Sequence, residues 1–332
     1  MNEIKLNMNE MPYPPPQRIM EATQKGLLNL NRYANLKDLE VLRELLANYS
    51  GVSKKHIILS PGSALLLREI IYIFSKGREL IMVNPSFFPT VQAAKQFVRK
   101  LIRIQLRPPK FNLDPEFLFN ELSEPCLIII DNPNNPTGKM LIDKKMAKAI
   151  IKNKNSLLVI DEAYYEFSGV TFTDLIKEHS NLAIVRTLDK AFGLAGARIG
   201  YLIAGEDFLD HFSLFHSFLP QPTLCAAIEA MENPGYIKKN IKLINKEKKK
   251  VSKKLEEIGL EVYPSNTNFL LIKTKIPGIG EKLMDRGILV FDLSDQWLSS
   301  YIRVSLGTPE ENDIFLSKIK EILEVENQSK EK

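Results

Sequence analysis

The run Arg186-Thr187-Leu188-Asp189-Lys190-Ala191-Phe192-Gly193-Leu194-Ala195-Gly196-Ala197-Arg198 sets one lysine among small residues, with an arginine eight positions on. It lies between two apolar runs, 182–186 and 199–204, that read as strands. A lysine so placed can hold an aldehyde cofactor as a Schiff base while the arginine grips a phosphate, which points to pyridoxal-phosphate chemistry. Alone this signal is weak, but three distant segments can supply the rest of one site. The pyridine ring of such a cofactor must withdraw electrons, so its nitrogen should stay protonated, and a buried carboxylate facing it favours that form. Asp161 ends the apolar run Leu157-Leu158-Val159-Ile160, and ligands of open α/β sheets bind outside the carboxyl ends of strands. Tyr164, in Asp161-Glu162-Ala163-Tyr164, can reach the ring's 3-oxygen from the same loop. A strand end whose aspartate caps a helix is the plainer reading of that tetrapeptide.

Asn132-Pro133-Asn134-Asn135-Pro136-Thr137-Gly138 is either a turn or the carrier of Asn135 as a donor to the 3-oxygen. Ser60-Pro61-Gly62-Ser63-Ala64 precedes a helix expected to begin near Leu65. Free N–H groups at Ser63 and Ala64, with the helix dipole, suit a phosphate, although an ordinary helix start would look the same. Arg198 would add a bidentate link and Thr187 a hydroxyl. Phe87 could stack on the ring or simply fill core. Arg303 stands in the apolar run Tyr301-Ile302-Arg303-Val304-Ser305-Leu306. A buried arginine needs an anionic partner, either a substrate carboxylate or phosphate or a structural Asp or Glu.

The elements that must position these groups alternate along the chain. Strands are expected at 57–59, 79–83, 98–104, 127–131, 157–160, 182–186 and 199–204, with amphipathic segments between them. Continuous Ile/Leu/Val runs suit strands covered on both faces, so the spacing predicts an α/β layered domain with a mostly parallel sheet. An Asn- and Pro-rich arm (6–16) and a helix (17–28) come first. After Pro220-Gln221-Pro222 a helix (223–231) and a lysine-rich helix (238–254) lead to a smaller unit. That unit reads strand 268–273, helix 279–286, strand 288–292, strand 301–306 and a last helix started by Thr308-Pro309-Glu310-Glu311. The division expected is 1–28 as arm and helix of the small domain, 29–222 as the large domain, and 223–332 as interdomain helix and small domain.

The 332 residues are 44% hydrophobic and 26% charged, with a net charge of +5, ordinary values for a globular protein. The lysines of 238–254 read as the solvated face of an amphipathic helix; few aromatics interleave with them for base stacking, so no nucleic-acid partner is expected. No apolar stretch is long enough for a membrane span, and the start has no signal-peptide core, so the cytoplasm is the expected address. Cys126 and Cys225 belong to no metal or redox motif and read as buried structural residues; no metal is expected.

With these residues in view, the chain resembles the fold-type-I pyridoxal-phosphate-dependent aminotransferases (class I/II), and within them the histidinol-phosphate aminotransferase branch. The resemblance rests on Leu6-Asn7-Met8-Asn9-Glu10, Asn31-Arg32-Tyr33, Pro133-Asn134-Asn135-Pro136-Thr137-Gly138, Asp161-Glu162-Ala163-Tyr164, the Lys190 run, Pro264-Ser265-Asn266-Thr267-Asn268-Phe269 and 302–312. It implies a large domain with a mostly parallel seven-stranded sheet between helices, plus a smaller α+β domain. It implies Lys190 as the Schiff-base lysine, Asp161 on the pyridine nitrogen, and Asn135 and Tyr164 on the 3-oxygen. Ser63, Ala64, Thr187 and Arg198 would hold the cofactor phosphate and Phe87 would stack on the ring. Arg303 would bind the substrate's anion, with Asn135 beside it, and Tyr33 would reach the neighbouring active site of a homodimer. The implied reaction takes an amino donor, histidinol phosphate, and a 2-oxo acid, 2-oxoglutarate. A decarboxylase resembling threonine-phosphate decarboxylase and a non-catalytic binding or regulatory protein of the same fold are the alternatives. The chain departs from the branch where Asp189 replaces a phosphate-contacting serine, Ala64 an acidic residue, Phe87 a tyrosine and Phe291 a phosphate-binding arginine. An upstream tyrosine that family members bring to the substrate is also missing.

Overall fold

The computed structural model describes residues 3–122, 124–212, 219–294 and 298–330. Thirteen strands are formed among them: β1 (Ile4–Lys5), β2 (Ile57–Ser60), β3 (Glu79–Asn84), β4 (Leu101–Gln105), β5 (Cys126–Asp131), β6 (Ser156–Asp161), β7 (Leu182–Thr187), β8 (Gly200–Ala204), β9 (Glu261–Val262), β10 (Phe269–Lys273), β11 (Ile288–Leu289), β12 (Phe291–Asp292) and β13 (Tyr301–Ser305). Seven make the large sheet, in the order β2-β8-β7-β6-β5-β3-β4. β3 to β7 run parallel, and β8 lies antiparallel between β7 and β2.

The apolar runs become central strands because both of their faces are covered. Ile128, Ile130, Leu158, Ile160 and Ile184 enter one core cluster. Their alternating neighbours Leu127, Ile129, Leu157, Val159, Ala183 and Val185 enter the other, on the opposite face, as the two-residue period of a strand requires. The helix Ser63–Phe74 buries Leu66, Leu67, Ile70, Ile71 and Phe74, spaced to form one stripe that joins the second cluster. The smaller antiparallel sheet has the order β12-β13-β10-β9 and packs with the helix Tyr236–Glu257 through Ile244, Val251 and Leu255. The chain's beginning returns to this part, where β1 pairs in parallel with β11.

Some boundaries moved for local reasons. The strand expected at 98–104 starts at Leu101, because the preceding helix continues to Phe97 and Val98 donates back to Ala94. The helix expected near Leu65 starts at Ser63. The single strand expected at 288–292 is two: Ile288 and Leu289 pair with the N-terminal arm, whereas Phe291 and Asp292 pair with β13. The last helix has its reciprocal cap, Thr308 N–H to Glu311 Oε2 at 2.7 Å and Glu311 N–H to Thr308 Oγ1 at 3.3 Å. Cys126 is buried as expected, but Cys225 is only partly so. Among the described residues no helix is long and apolar enough to cross a membrane.

Candidate active site

Three neighbouring strands of the large sheet deliver their carboxyl ends to one place. Asp131 ends β5, Asp161 ends β6 and Thr187 ends β7; Asp131 and Asp161 lie directly across from each other in the ladder. Both carboxylates are buried. Burial raises the Asp161 pKa to about 7, with the Asp131 charge adding to the shift and Lys190 opposing it. Asp131 is raised to about 6, also by burial, against the hydrogen bonds it accepts. The two acids differ in employment. Asp131 accepts from Ser86 Oγ (3.1 Å), Asn134 Nδ2 (3.0 Å) and Asn135 N–H (2.8 Å), which braces the loop 132–138. Asp161 accepts from the Ala163 N–H at 3.0 Å, and its charge is available to a cationic ligand. The sequence reading gave Asp131 no role, although its strand ends in an aspartate after an apolar run, just as the Asp161 strand does.

Lys190 follows β7. Its Nζ donates to the Met8 carbonyl at 3.0 Å, a neutral partner. Burial lowers its pKa to about 8; Asp189 opposes the shift, and Arg303 and Arg198 reinforce it. A substantial fraction of the amine is therefore neutral near physiological pH, the form that attacks a carbonyl or takes a proton.

An anion cradle stands beside it. Gly62 precedes the helix Ser63–Phe74 with φ of +94°, and no side chain caps the helix. The N–H groups of its first turn have no intrahelical acceptor and the dipole adds positive potential, so Ser63 and Ala64 can present backbone donors to a phosphate. The positive φ of Gly62 favours glycine, and a Cβ there would lie 2.5 Å from Arg198 Nη2, so the guanidinium would have to shift. The guanidinium is thus held against the helix start. Ser60 Oγ, buried at the end of β2, has no hydrogen-bond partner. Gly200 backs the same turn, where a Cβ would meet Ser63 N at 2.3 Å. Thr187 faces inward: its hydroxyl donates to the Ile199 carbonyl at 2.8 Å and accepts from Asp189 N–H at 3.0 Å. Its proton is therefore engaged by backbone, and donation to an anion requires that bond to be given up. Asp189 pairs with Arg198.

Tyr164 is buried after β6, its hydroxyl accepting from Asn9 Nδ2 at 2.8 Å and its ring edge-on to Phe269. Burial raises its pKa to about 12, against Arg303 and Asn9. Asn9 was not foreseen. With φ of +53° it joins Tyr164 to Ser305 Oγ, which its N–H reaches at 2.8 Å, and its carbonyl accepts from Asn268. Phe87, partly buried, precedes the helix Phe88–Phe97 and packs on the core cluster of the sheet's second face. Arg303 is buried on β13. Its Nη1 donates to Asn135 Oδ1 at 2.7 Å and its Nη2 to the Asn7 carbonyl, while Nε has no partner. Its guanidinium carbon lies 4.5 Å from the centre of the Phe291 ring. Among the described residues no structural acid pairs with it, and burial lowers its pKa to about 10, against Tyr164. Tyr33 is 90% exposed.

One fold therefore gathers an activated lysine, a buried carboxylate, an anion cradle and a buried arginine with neutral partners. The model of the family "Aminotransferase class I and II" matches residues 1–319. The chain is similar to a histidinol-phosphate aminotransferase of Sulfurisphaera tokodaii, 37% identical over 330 residues, 97% of this chain and 90% of that protein. The crystal structure of histidinol-phosphate aminotransferase from Sinorhizobium meliloti in complex with pyridoxal-5'-phosphate shares the fold, with a TM-score of 0.86 at 23% identity, covering 98% of this chain and 92% of that one. L-threonine-O-3-phosphate decarboxylase from Porphyromonas gingivalis shares it too, with a TM-score of 0.84 at 22% identity, covering 97% and 99%. The chain belongs to the class I and II aminotransferase family, and its reaction is a pyridoxal-phosphate-dependent amino transfer.

Proposed function

We propose that the protein is a histidinol-phosphate aminotransferase, taking histidinol phosphate as amino donor and 2-oxoglutarate as acceptor. The observation that carries the site assignment is the Lys190 amine. It is held with its pKa lowered to about 8, on a neutral hydrogen-bond partner, in the field of both Asp161 and Arg198. The substrate assignment leans on the S. tokodaii relative, at 37% identity.

The residues fit the cofactor. The Ser63 and Ala64 N–H groups and Arg198 would hold its phosphate, with glycine at 62 leaving the guanidinium room. Asp161, whose charge is costly while uncompensated, gains a cationic partner in a protonated pyridine nitrogen. Tyr164 and Asn135 would bind the 3-oxygen, and Phe87 would stack on the ring face. When bound, the cofactor supplies an electron sink that acidifies the donor's α-carbon. Lys190 Nζ takes the α-proton in its neutral form and returns it within the site. Arg303, buried without an acid, holds the anionic end of donor and acceptor in turn, and Asn135 keeps it aimed. The cluster of exposed apolar side chains Leu27, Leu28, Leu30, Tyr33 and Leu36 supports a homodimer in which Tyr33 meets the other subunit's site.

The test is a half-reaction screen of the holoenzyme, in which donors are added singly and loss of the visible absorbance of lysine-bound cofactor is followed. Histidinol phosphate should react fastest. If phenylalanine or aspartate does as well, the donor assignment fails. Carbon dioxide release from a phosphorylated amino acid, without need of a 2-oxo acid, would make the enzyme a decarboxylase. The Lys190→Ala protein should lack that absorbance and all but a trace of turnover, and normal turnover would refute the lysine's role.

A further inference from the structure

Asp189 carries a negative charge into the place where an anion is expected to bind. Its Oδ2 pairs with Arg198 Nη1, and its Oδ1 accepts from the Ile199 N–H at 3.3 Å. The Asp189 side chain is 6% exposed and that of Arg198 52%, so the acid is enclosed while the guanidinium stays open. On its other nitrogen the guanidinium abuts Gly62, at the start of the helix that opens the anion cradle. The charged groups facing Asp189 are Arg198 and Lys190. Burial raises its pKa, and the two cations pull against that rise.

We propose that Asp189 is a built-in counter-ion of Arg198 that competes with the cofactor phosphate, so that seating the phosphate draws a proton into the site. The proposal rests on the cofactor reading above. Two anions sharing one guanidinium repel each other, which raises the proton affinity of the Asp189 carboxylate and of the phosphate alike. The proton comes from solvent, no bond of the cofactor changes, and the pair separates again when the phosphate leaves. In the cofactor-free protein the pair keeps Arg198 compensated and in place. Cofactor affinity then falls as pH rises through the range in which that proton is taken up.

Pyridoxamine 5'-phosphate has no aldehyde to react with Lys190 and isolates this equilibrium. Titrate it calorimetrically into the cofactor-free protein at pH 8, in two buffers of different ionisation enthalpy, so that the difference counts protons. The Asp189→Asn protein, which keeps an acceptor for Ile199, and the Asp189→Ser protein should each take up fewer protons than the parent. Both should bind about tenfold tighter, the effect of one pKa unit of relieved repulsion. The ligand-induced rise in melting temperature should be larger in both variants. Binding with proton uptake and affinity equal to the parent's overturns the proposal and leaves the cofactor reading standing. Weaker binding by both variants also overturns it, because Asp189 would then assist the phosphate. Failure of parent and variants alike to bind overturns the proposal and the cofactor reading together.

Discussion

Two buried arginines on strands, Arg186 in the large sheet and Arg303 in the small one, have opposite surroundings. Arg186 has an acid for a partner, although its Nη1 makes no hydrogen bond. Its Nε and Nη2 donate to Glu162 Oε2 at 3.0 and 2.8 Å, its Nη2 also reaches Thr171 Oγ1 at 2.6 Å, and its guanidinium carbon lies 3.8 Å from the centre of the Tyr165 ring. The pair is closed to solvent, with side-chain exposures of 1% and 0%. Arg303 has an amide oxygen, a backbone carbonyl and two aromatic rings. The first is a fastener between β7 and the loop after β6, its charge compensated within the folded chain. The second keeps its charge for something that arrives from outside. Burial alone does not separate structural from functional arginines; the charge of the partner does.

The sharpest way to break this contrast is to remove the acid from the first pair. Glu162→Gln leaves Arg186 buried and uncompensated, and should destabilise the protein by about 3–5 kcal/mol, read by denaturant unfolding of the cofactor-free form. A loss well under 1 kcal/mol would show that Glu166, whose own pKa burial raises to about 7, can take over the pairing. Arg303→Met should do the reverse. Stability should hold or rise, because a buried charge without an acid is gone, while each charge-assisted bond lost to the substrate anion weakens kcat/KM by about 1.5–3 kcal/mol. Asn135→Asp is the complementary change: it gives Arg303 the partner Arg186 has, and should raise KM without lowering the melting temperature. Smaller still is a pH effect. Asp131 and Asp161 are raised from 3.8 to about 6 and about 7, so the folded cofactor-free protein holds protons that the unfolded chain has released. Their contribution to stability is complete below about pH 4 and is lost as pH rises through 6 and 7. Asp161→Asn should flatten that part of the melting-temperature profile, and an unaltered slope would place the titration elsewhere.

What the sequence disclosed and what it hid divide along contact range. Lys190 and Arg198 share one local run, and Asp161 announces itself by closing an apolar strand. Their grouping needs only parallel strands with aligned carboxyl ends. The same logic applies to Asp131, but the turn formers that follow it make its strand end look like a plain turn. Glu162 and Arg186 were each in a quoted motif, but their bond joins a loop to a neighbouring strand and leaves no spacing signature. Asn9 was harder still. Its partners lie 155 and 296 positions away, in an arm that composition marks only as extended. The split of 288–292 between two sheets followed from which neighbour each half found, and a periodicity cannot contain that. Arg303 was read as needing an acid or a ligand, and only its surroundings could choose.

The N-terminal arm has a consequence for how the protein comes into being. Asn9 must meet Tyr164, Asn268 and Ser305, and the Met8 carbonyl must meet Lys190, so the arm waits for segments as many as 296 positions away. Closing loops of such length is slow, and competence to grip a substrate is therefore acquired late in folding.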